Sequence, residues 1–377
     1  TFAVARACYR AAGEPGIVPL DAPVHLSERC YSYFLQEWMT VFEVEPPFQD
    51  SVGFFAQLCD REVAESVLLA GAKEAPADYE GFYAQRPVPP EELAGELLGV
   101  SCEGKGVPMS KAEAVKLKAT WGTAEKRQQK KDALGGGSYT VDATPRSPEA
   151  LADLLIDPAA ARVRRQREDT RDEAPRAQQS RRLASLVRTQ QAVMEGITAD
   201  AERRAPQHCQ PWVVLLEGAR GLGSLAPKRF KAWRRRTFGL DIMHVVGYLW
   251  SAANALCGEG SQESKRWGQA KLEEILRGRV GYGIGGLPQI LTKRRLRKSV
   301  REALAKVITF FPNHRRWRPS EAYLAAGLPV GTGVVESACG SVVKHRMEGE
   351  GKRWSLEGAE AILALRSLKK SHDNDLR

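Results

Sequence analysis

Three glutamates lie where regular elements of the chain are expected to end or begin. Glu103 follows the apolar run Leu98–Cys102, Glu217 follows Trp212–Leu216, and Glu336 follows a glycine-rich loop and opens a helix. Ligands of α/β proteins gather at the carboxyl ends of strands, so acids placed there can converge. Converging carboxylates need a balancing cation, and Mg²⁺ prefers oxygen ligands, which suits metal-dependent phosphodiester chemistry. The same acids could instead cap helices or pair with arginine, and the spacing alone favours that simpler interpretation.

Basic residues interleaved with aromatic residues form several clusters after residue 100. Arginine and tryptophan together suit phosphate contact and base stacking. One such cluster is more often a solvated surface, but several clusters near the three glutamates favour DNA. The residues that we expect to contact DNA are Lys105, Arg234, Arg235, Arg236, Lys293, Arg294, Arg295, Arg316, Trp317, Lys344, Arg346, Lys352 and Arg353.

The charge is divided unevenly along the chain. Residues 1–100 contain 6 Lys+Arg and 16 Asp+Glu, a net charge of −10. The whole chain contains 56 and 46, so the remainder holds 50 and 30, a net charge of +20. A field of that sign attracts a polyanion and makes its binding salt-dependent, although a solubilising basic surface is the alternative.

The strands expected from the sequence are short apolar runs. Trp212–Leu216 predicts a strand covered on both faces, and Leu98–Cys102 predicts another that turns at Glu103. Gly106–Met109 and Ser138–Val141 could add two more strands.

Most of the remaining chain is expected to be helical. Lys111–Asp132 reads as an exposed helical excursion, and residues 157–181 as a solvated helix or a mobile segment. Apolar spacing predicts helices at or near Arg182–Arg204, Leu222–Trp233, Val245–Leu256, Trp267–Leu276, Arg294–Phe311, Ser320–Ala326 and Leu356–Lys370.

Residues 1–84 form a separate region in this interpretation. Apolar residues at helical spacing in 27–42 and 48–72 predict a small helical domain, which could be a helix-turn-helix. Its acidity makes it a poor DNA contact, so a packing or protein-contact role is favoured. Residues 85–96, which contain three prolines, are predicted to be a linker.

Composition argues against several classes of protein. The seven cysteines are widely spaced with no Cys-x-x-Cys pair, which disfavours disulfides and structural zinc and fits a reducing cytoplasm. No apolar run is long enough to span a bilayer, and no secretory signal is recognisable. Gly135–Gly137 and Gly283–Gly286 lack the lysine and hydroxyl of a phosphate-binding loop, so no nucleotide cofactor is expected.

Four motifs resemble those of bacterial insertion-sequence transposases of the ISKra type, within the Mutator-like DDE superfamily. Ser101–Pro108 resembles the first metal motif, Val213–Leu222 the second, and Gly331–Cys339 the third. Leu240–Trp250 is similar to the Asp/Cys-x-x-His signature that follows the second motif. The likeness continues through Lys344–Met347 and Arg353–Ser355, and it covers most of residues 20–371 in the same order.

The resemblance implies an α/β fold with a ribonuclease-H-like catalytic core. Residues 97–244 and 327–377 would form the core, interrupted by an all-helical insertion at 245–326. Glu103, Glu217 and Glu336 would be the catalytic residues and would bind Mg²⁺ or Mn²⁺.

Two further residues belong to the implied site. Asp241 and His244, three apart, would share one face where a strand meets a helix, and the signature implies that they support the site. His244 could orient Asp241 or the scissile phosphate, while a satisfied structural pair is the alternative.

The activity implied is transposition of a mobile element. Metal-dependent cleavage at the element ends would be followed by attack of the 3′-hydroxyl on target DNA. The implied partner is double-stranded DNA, on which the chain would act as a homo-oligomer, and we expect a cytoplasmic protein that associates with the nucleoid when acting.

The chain departs from the family at two metal positions. The family carries aspartate where this sequence has Glu103 and Glu217, so each carboxylate reaches further by one CH₂ group. Mg²⁺ demands near-octahedral geometry, and displacements of about 1 Å at a catalytic centre can cost roughly a hundredfold in rate. A catalytically impaired or inactive transposase-derived DNA-binding protein is therefore the alternative. A protein-only interaction module is a third possibility, which fits the acidic region but not the basic remainder.

Overall fold

The computed structural model describes residues 8–9, 31, 33–59, 62–87, 95–117, 129–167, 177–205, 210–216, 220–231, 233, 235–314, 320–331, 339–349 and 351–371. The chain divides into two units. The first comprises Thr1–Gln85 with Glu357–Arg366, and the second comprises Arg86–Leu356 with Ser367–Arg377.

The first unit is helical, as the spacing of its apolar residues predicted. Met39, Phe55 and Leu68 lie in its core. The apolar run over 48–72 contains two helices, because residues 62–64 are not helical and the backbone of Ala64 is extended. The helices are α1 (Tyr33–Val44), α2 (Phe48–Cys59), α3 (Glu65–Glu74) and α4 (Tyr79–Gln85).

The second unit is built on one mixed sheet of five strands, which gives the α/β class expected from the sequence. The order across the sheet is β3-β2-β1-β4-β5, and β2 alone runs antiparallel to its neighbours. The strands are β1 (Leu97–Pro108), β2 (Lys130–Val141), β3 (Gln178–Ser185), β4 (Trp212–Leu216) and β5 (Arg236–Leu240).

Strand β1 corrects two sequence predictions. The chain does not turn at Glu103, and Gly106–Met109 is not a second strand, because β1 runs through Glu103 to Pro108. Its antiparallel pairing with β2 continues over this whole length, from Leu97 with Val141 to Pro108 with Lys130. Backbone hydrogen bonds to β2 therefore keep the chain extended in a segment whose glycines had suggested a turn.

Strand β2 begins earlier than predicted and β3 was missed. The expected helical excursion at Lys111–Asp132 contains a helix only over Lys111–Leu117 among its described residues, and β2 begins at Lys130. The start of the predicted Arg182–Arg204 helix belongs to β3 instead. Arg182 is buried in this strand, and its Nη1 donates a 2.7 Å hydrogen bond to Ser341 Oγ, a partner that is distant in sequence.

Helices connect the strands of the second unit and follow the last strand. A π-helical segment, Cys339–Lys344, leads into the last short helix before α17. The helices are α5 (Lys111–Leu117), α6 (Pro148–Ile156), α7 (Pro158–Arg167), α8 (Gln190–Arg204), α9 (Arg220–Arg229), α10 (Ile242–Cys257), α11 (Gln262–Leu276), α12 (Val280–Ile284), α13 (Leu287–Lys293), α14 (Lys298–Asn313), α15 (Glu321–Ala325) and α16 (His345–Met347). The last helix, α17 (Leu356–Lys370), is divided between the units, since its residues Glu357–Arg366 belong to the first.

Adjacent glycines of β2 allow close packing on both faces of the sheet. A Cβ atom at Gly136 would lie 2.4 Å from Ile197 Cδ1 of α8, and one at Gly135 would lie 2.7 Å from Cys339 Sγ. Successive strand residues point to opposite faces. Helix α8 and the π-helical segment therefore cover opposite faces of the sheet.

The stretch from α10 to α15 packs beside β4 and β5. Leu249, Leu272 and Leu304 of its helices share one hydrophobic core with Val213 and Leu215 of β4. No helix in the described part of the chain is both long and apolar enough to cross a membrane.

Candidate functional site

The parallel strands β1, β4 and β5 bring three motifs to one level of the sheet. The register pairs Cys102 with Leu216, and Leu216 with Leu240. The residues that follow in the chain are Glu103, Glu217 and Asp241. In each of three adjacent strands, an acidic residue therefore directly follows one of the residues that are paired across the sheet.

Two of the three predicted metal ligands fall outside the described residues. Glu217 lies in 217–219 and Glu336 in 332–338, so Glu103 is the acid of this set that the structure describes. Within the described ranges there is no group of three or more His, Cys, Asp or Glu residues that could hold a metal ion. Glu103 supplies the oxygen type that Mg²⁺ prefers, but one carboxylate is less than the ligand set that this ion needs.

Glu103 is buried and its carboxylate is engaged. The side chain is 8% exposed, and its Oε1 accepts a 2.7 Å hydrogen bond from the backbone N–H of Cys339. Cys339 Sγ also lies 3.5 Å from the carbonyl oxygen of Glu103. Gly135 is paired with Glu103 across the strands, and a side chain there would occupy the space that Cys339 fills. The end of the third motif is therefore anchored to the acid of the first.

The beginning of the third motif lies beside Asp241. A Cβ atom at Gly331 would be 3.2 Å from Asp241 Oδ1, and the N–H of Ile242 donates to Val330 O at 2.8 Å. The N–H of Asp241 itself donates to Leu216 O at 3.0 Å. Described residues of all four motifs thus meet at the ends of β4 and β5 and at Glu103, which lies within β1.

Asp241 caps the helix that follows β5. Its Oδ1 accepts a 2.9 Å hydrogen bond from the N–H of Met243, and the residue is only 2% exposed. A carboxylate at this position satisfies a free helix donor and complements the helix dipole. Burial, and then the charge of Asp241, raise the pKa of the Tyr139 hydroxyl above its ordinary value. His244 is half-buried in the first turn of α10.

A group of lysines lies farther along β1 and β2. Lys105 Nζ is 3.3 Å from Glu348 Oε2, and Lys130 Nζ is 3.0 Å from Glu348 Oε1. Lys344 and Arg353 are exposed nearby in sequence. Lys105 and Lys130 therefore form a basic group that holds one internal acid, Glu348.

Two basic residues after the third motif are held by the protein. The Arg346 guanidinium is buried and lies 4.8 Å from the centre of the Trp354 ring, so it does not lie on the surface with Lys344. Lys352 is half-buried and its Nζ donates to Arg346 O at 3.1 Å. Arg346 therefore contributes to packing in this conformation.

The remaining residues predicted to contact DNA lie in two other places. Arg235 is exposed, and Arg236 donates from Nη1 to Lys231 O at 3.2 Å. Lys293, Arg294 and Arg295 are exposed at the α13–α14 junction. Arg234, Arg316 and Trp317 lie outside the described residues.

Sequence reasoning missed four residues of this region. Cys339 takes part through its backbone N–H, and the residue type gives no sign of such a contact. Gly135 matters because it has no side chain and so leaves space for Cys339. Lys130 and Glu348 meet only because β2 and the loop after α16 come together. The run Gly135–Gly137 was the one feature of the sequence that could have pointed to these contacts, since it marks close packing against β2.

The sequence matches no family model, and its comparison with curated proteins finds no match.

Proposed function

We propose that this chain is a DNA transposase of the insertion-sequence type, with a ribonuclease-H-like core. The observation that carries the proposal is the meeting of the described parts of four motifs. Glu103 binds the N–H of Cys339, Cys102 pairs with Leu216, and Leu216 accepts from Asp241. More than a hundred residues separate the first motif from the second and the second from the third, so it is the tertiary fold that brings these three together.

The sheet supports the same proposal. A ribonuclease-H-like core is expected to have three antiparallel strands extended by two parallel ones, and the order β3-β2-β1-β4-β5 with β2 reversed has this form. In this sheet the end of β4 lies beside Cys102, within β1, so Glu103 and Glu217 both follow paired residues, which suits acids that share a metal.

The proposed chemistry is phosphoryl transfer. Glu103, Glu217 and Glu336 would hold Mg²⁺ or Mn²⁺. The bound metal would supply activation of the attacking oxygen and stabilisation of the leaving oxygen. The protein's own part is positioning and neutralisation of phosphate charge, for which the lysines beyond Glu103 are suitable.

Asp241 and His244 would be positioning residues, which orient other parts of the site. Asp241 fixes the first turn of α10 against the end of β4, through its cap and its backbone hydrogen bond. His244, in that first turn, would orient the scissile phosphate. The partner would be double-stranded DNA, bound by a homo-oligomer at paired element ends.

A second candidate function is DNA binding without cleavage. Oε1 of Glu103 already accepts a hydrogen bond from the backbone of Cys339, so this carboxylate contributes to the fold whether or not it binds metal. Both family aspartates at the first two metal positions are glutamate here. A transposase-derived binding protein would keep the sheet and the basic surface while losing cleavage.

Strand cleavage distinguishes the two functions. The substrate is labelled duplex DNA carrying the terminal sequences of the element that encodes the chain, incubated with Mg²⁺ and separately with Mn²⁺. The unaltered chain is compared with Glu336→Gln, with the double variant Glu103→Asp/Glu217→Asp, and with the control Glu302→Gln. Glu302 is an exposed glutamate of α14.

Cleavage by the unaltered chain and the control, lost in Glu336→Gln, is the result expected of a transposase. Cleavage only by the double variant would identify an inactivated copy. Salt-sensitive DNA binding with no cleavage by any of the four proteins would favour the binding function.

A further inference from the structure

We propose that Lys105 and Lys130 form a phosphodiester-binding site, and that the Glu348 carboxylate occupies this site until DNA displaces it. The inference rests on the proposed function, because it takes DNA as the ligand. It adds Lys130 and an internal competitor, Glu348, to the DNA contacts that the sequence indicated, of which Lys105 is one.

One carboxylate bridges two ammonium groups at this site. Oε1 of Glu348 accepts a 3.0 Å hydrogen bond from Lys130 Nζ, and Oε2 lies 3.3 Å from Lys105 Nζ. The side chain of Glu348 is 17% exposed, whereas those of Lys105 and Lys130 are 36% and 33% exposed. Both lysine side chains are therefore partly open to solvent.

The charges leave room for an anion. Two positive charges share one negative charge, so the three side chains together carry a net charge of +1. A phosphodiester has the same charge as the carboxylate and also presents two oxygens to its partners. Lysine binds phosphate as a point charge with three donors, which lets it exchange one anion for another.

The two lysines lie close to Glu103, the proposed metal ligand, which suggests what a phosphate bound there would do. Lys105 is two residues beyond Glu103 on β1, so both side chains leave the same face of the strand. Two residues of extended strand span about 7 Å. A phosphate at Lys105 and Lys130 would then neighbour the phosphate that is to be cleaved, and would fix its register.

Glu348 remains a competitor at neutral pH. Burial tends to raise the pKa of its carboxyl, but the hydrogen bond from Lys130 and the charge of Lys105 outweigh this and lower it below its usual range. The group is therefore ionised under the conditions in which DNA binds. DNA can therefore bind the two lysines only by displacing the charged Glu348 carboxylate.

The test is the salt dependence of DNA binding by the full chain. The probe is a fluorescently labelled duplex of about 30 base pairs and arbitrary sequence, titrated by anisotropy at several NaCl concentrations. Lys130→Gln should weaken binding about threefold to tenfold and reduce the slope of log K against log salt by roughly 1. Glu348→Gln should tighten binding by a similar factor, because it removes the competitor.

A second ion pair of the same unit supplies matched controls. Lys265 Nζ lies 2.7 Å from Asp157 Oδ2, with side chains 32% and 28% exposed. Lys265→Gln and Asp157→Asn make the same changes in net charge away from β1 and β2. Thermal unfolding of each variant verifies that it is folded.

The outcomes separate this inference from the function on which it rests. Opposite shifts for Lys130→Gln and Glu348→Gln, each larger than its control, are the expected result. Shifts equal to those of the controls would overturn the phosphate site while DNA binding stands. Absence of salt-dependent binding by the unaltered chain would overturn both.

Discussion

The backbone N–H of Cys339 donates a hydrogen bond of 2.7 Å to Oε1 of Glu103, across 236 positions of the chain. Glu103 belongs to the first motif and Cys339 to the last, and the bond is buried. The carboxylate that we propose as a metal ligand thus also fastens two distant segments together. The longer reach of glutamate suits this second task.

We predict that Glu103→Asp lowers stability. The shorter side chain withdraws from Cys339 and leaves a buried donor unsatisfied, which costs about 1–3 kcal/mol. Glu103→Gln keeps an oxygen at the same reach and should cost less. Urea unfolding followed by tryptophan fluorescence measures both, with Glu302→Gln as the exposed control. An aspartate variant as stable as the unaltered chain would show that the bond contributes little.

We expect Gly135→Ala to destabilise the sheet and the π-helical segment together. The new Cβ would lie 2.7 Å from Cys339 Sγ, and overpacking of this kind costs about 1–3 kcal/mol. Gly104→Ala is the matched control, because no atom lies within 4 Å of its Cβ position. In a double-mutant cycle, Cys339→Ala should relieve part of the cost of Gly135→Ala. Strict additivity of the two substitutions would contradict the contact.

Asp241 can be tested as a helix cap separately from any role at the site. Asp241→Ala removes the acceptor for the Met243 N–H and should cost about 0.5–2 kcal/mol of unfolding free energy. Asp241→Asn retains an acceptor oxygen and should recover most of that stability. Thermal unfolding gives the stabilities and the cleavage assay gives the activity. Equal stability losses in the two variants would argue against the cap.

Cys102 should resist alkylation in the folded protein. Burial, and then the negative charge of Glu103, raise the pKa of this thiol to about 12, so almost no thiolate forms at pH 8.5. Cys8 is exposed and serves as the internal reference. Mass spectrometry after brief iodoacetamide treatment should find Cys8 modified and Cys102 unmodified, and urea should expose Cys102 to reaction. Labelling of Cys102 without urea would mean that β1 opens readily.

Strand β4 shows what the sequence could predict. Trp212–Leu216 is a continuous apolar run, and its two buried faces leave no other place for such residues. Most long helices were predicted for the related reason that their apolar spacing repeats over several turns. In α10 the observed ends extend the predicted ones by three residues at the start and one at the end.

Strand β3 shows why the remainder escaped prediction. Its charged residues Arg181 and Arg182 look solvated in sequence, but both are buried. The partners that permit this, Asp200 and Ser341, are supplied by α8 and the π-helical segment. Burial of charge depends on tertiary contacts, and a single sequence does not show them.

The candidate site divides in the same way. The acids and basic clusters were visible because their types and positions carry chemistry. The Glu103–Cys339 bond and the lysine pair at Glu348 were not visible, because each depends on which segments the sheet brings together. Residue type identified the candidates, and topology determined their partners.

The sequence separation of Glu103 and Cys339 also sets an order of events during synthesis. At about 5–20 residues per second, the ribosome adds Cys339 roughly 10–50 s after Glu103. All five strands have been translated before then, because β5 ends at Leu240. The nascent chain can therefore assemble its sheet early, whereas the contact that fastens the first motif to the last must await one of the final segments. Translation itself thus delays closure of the site until the helical stretch between them has been made.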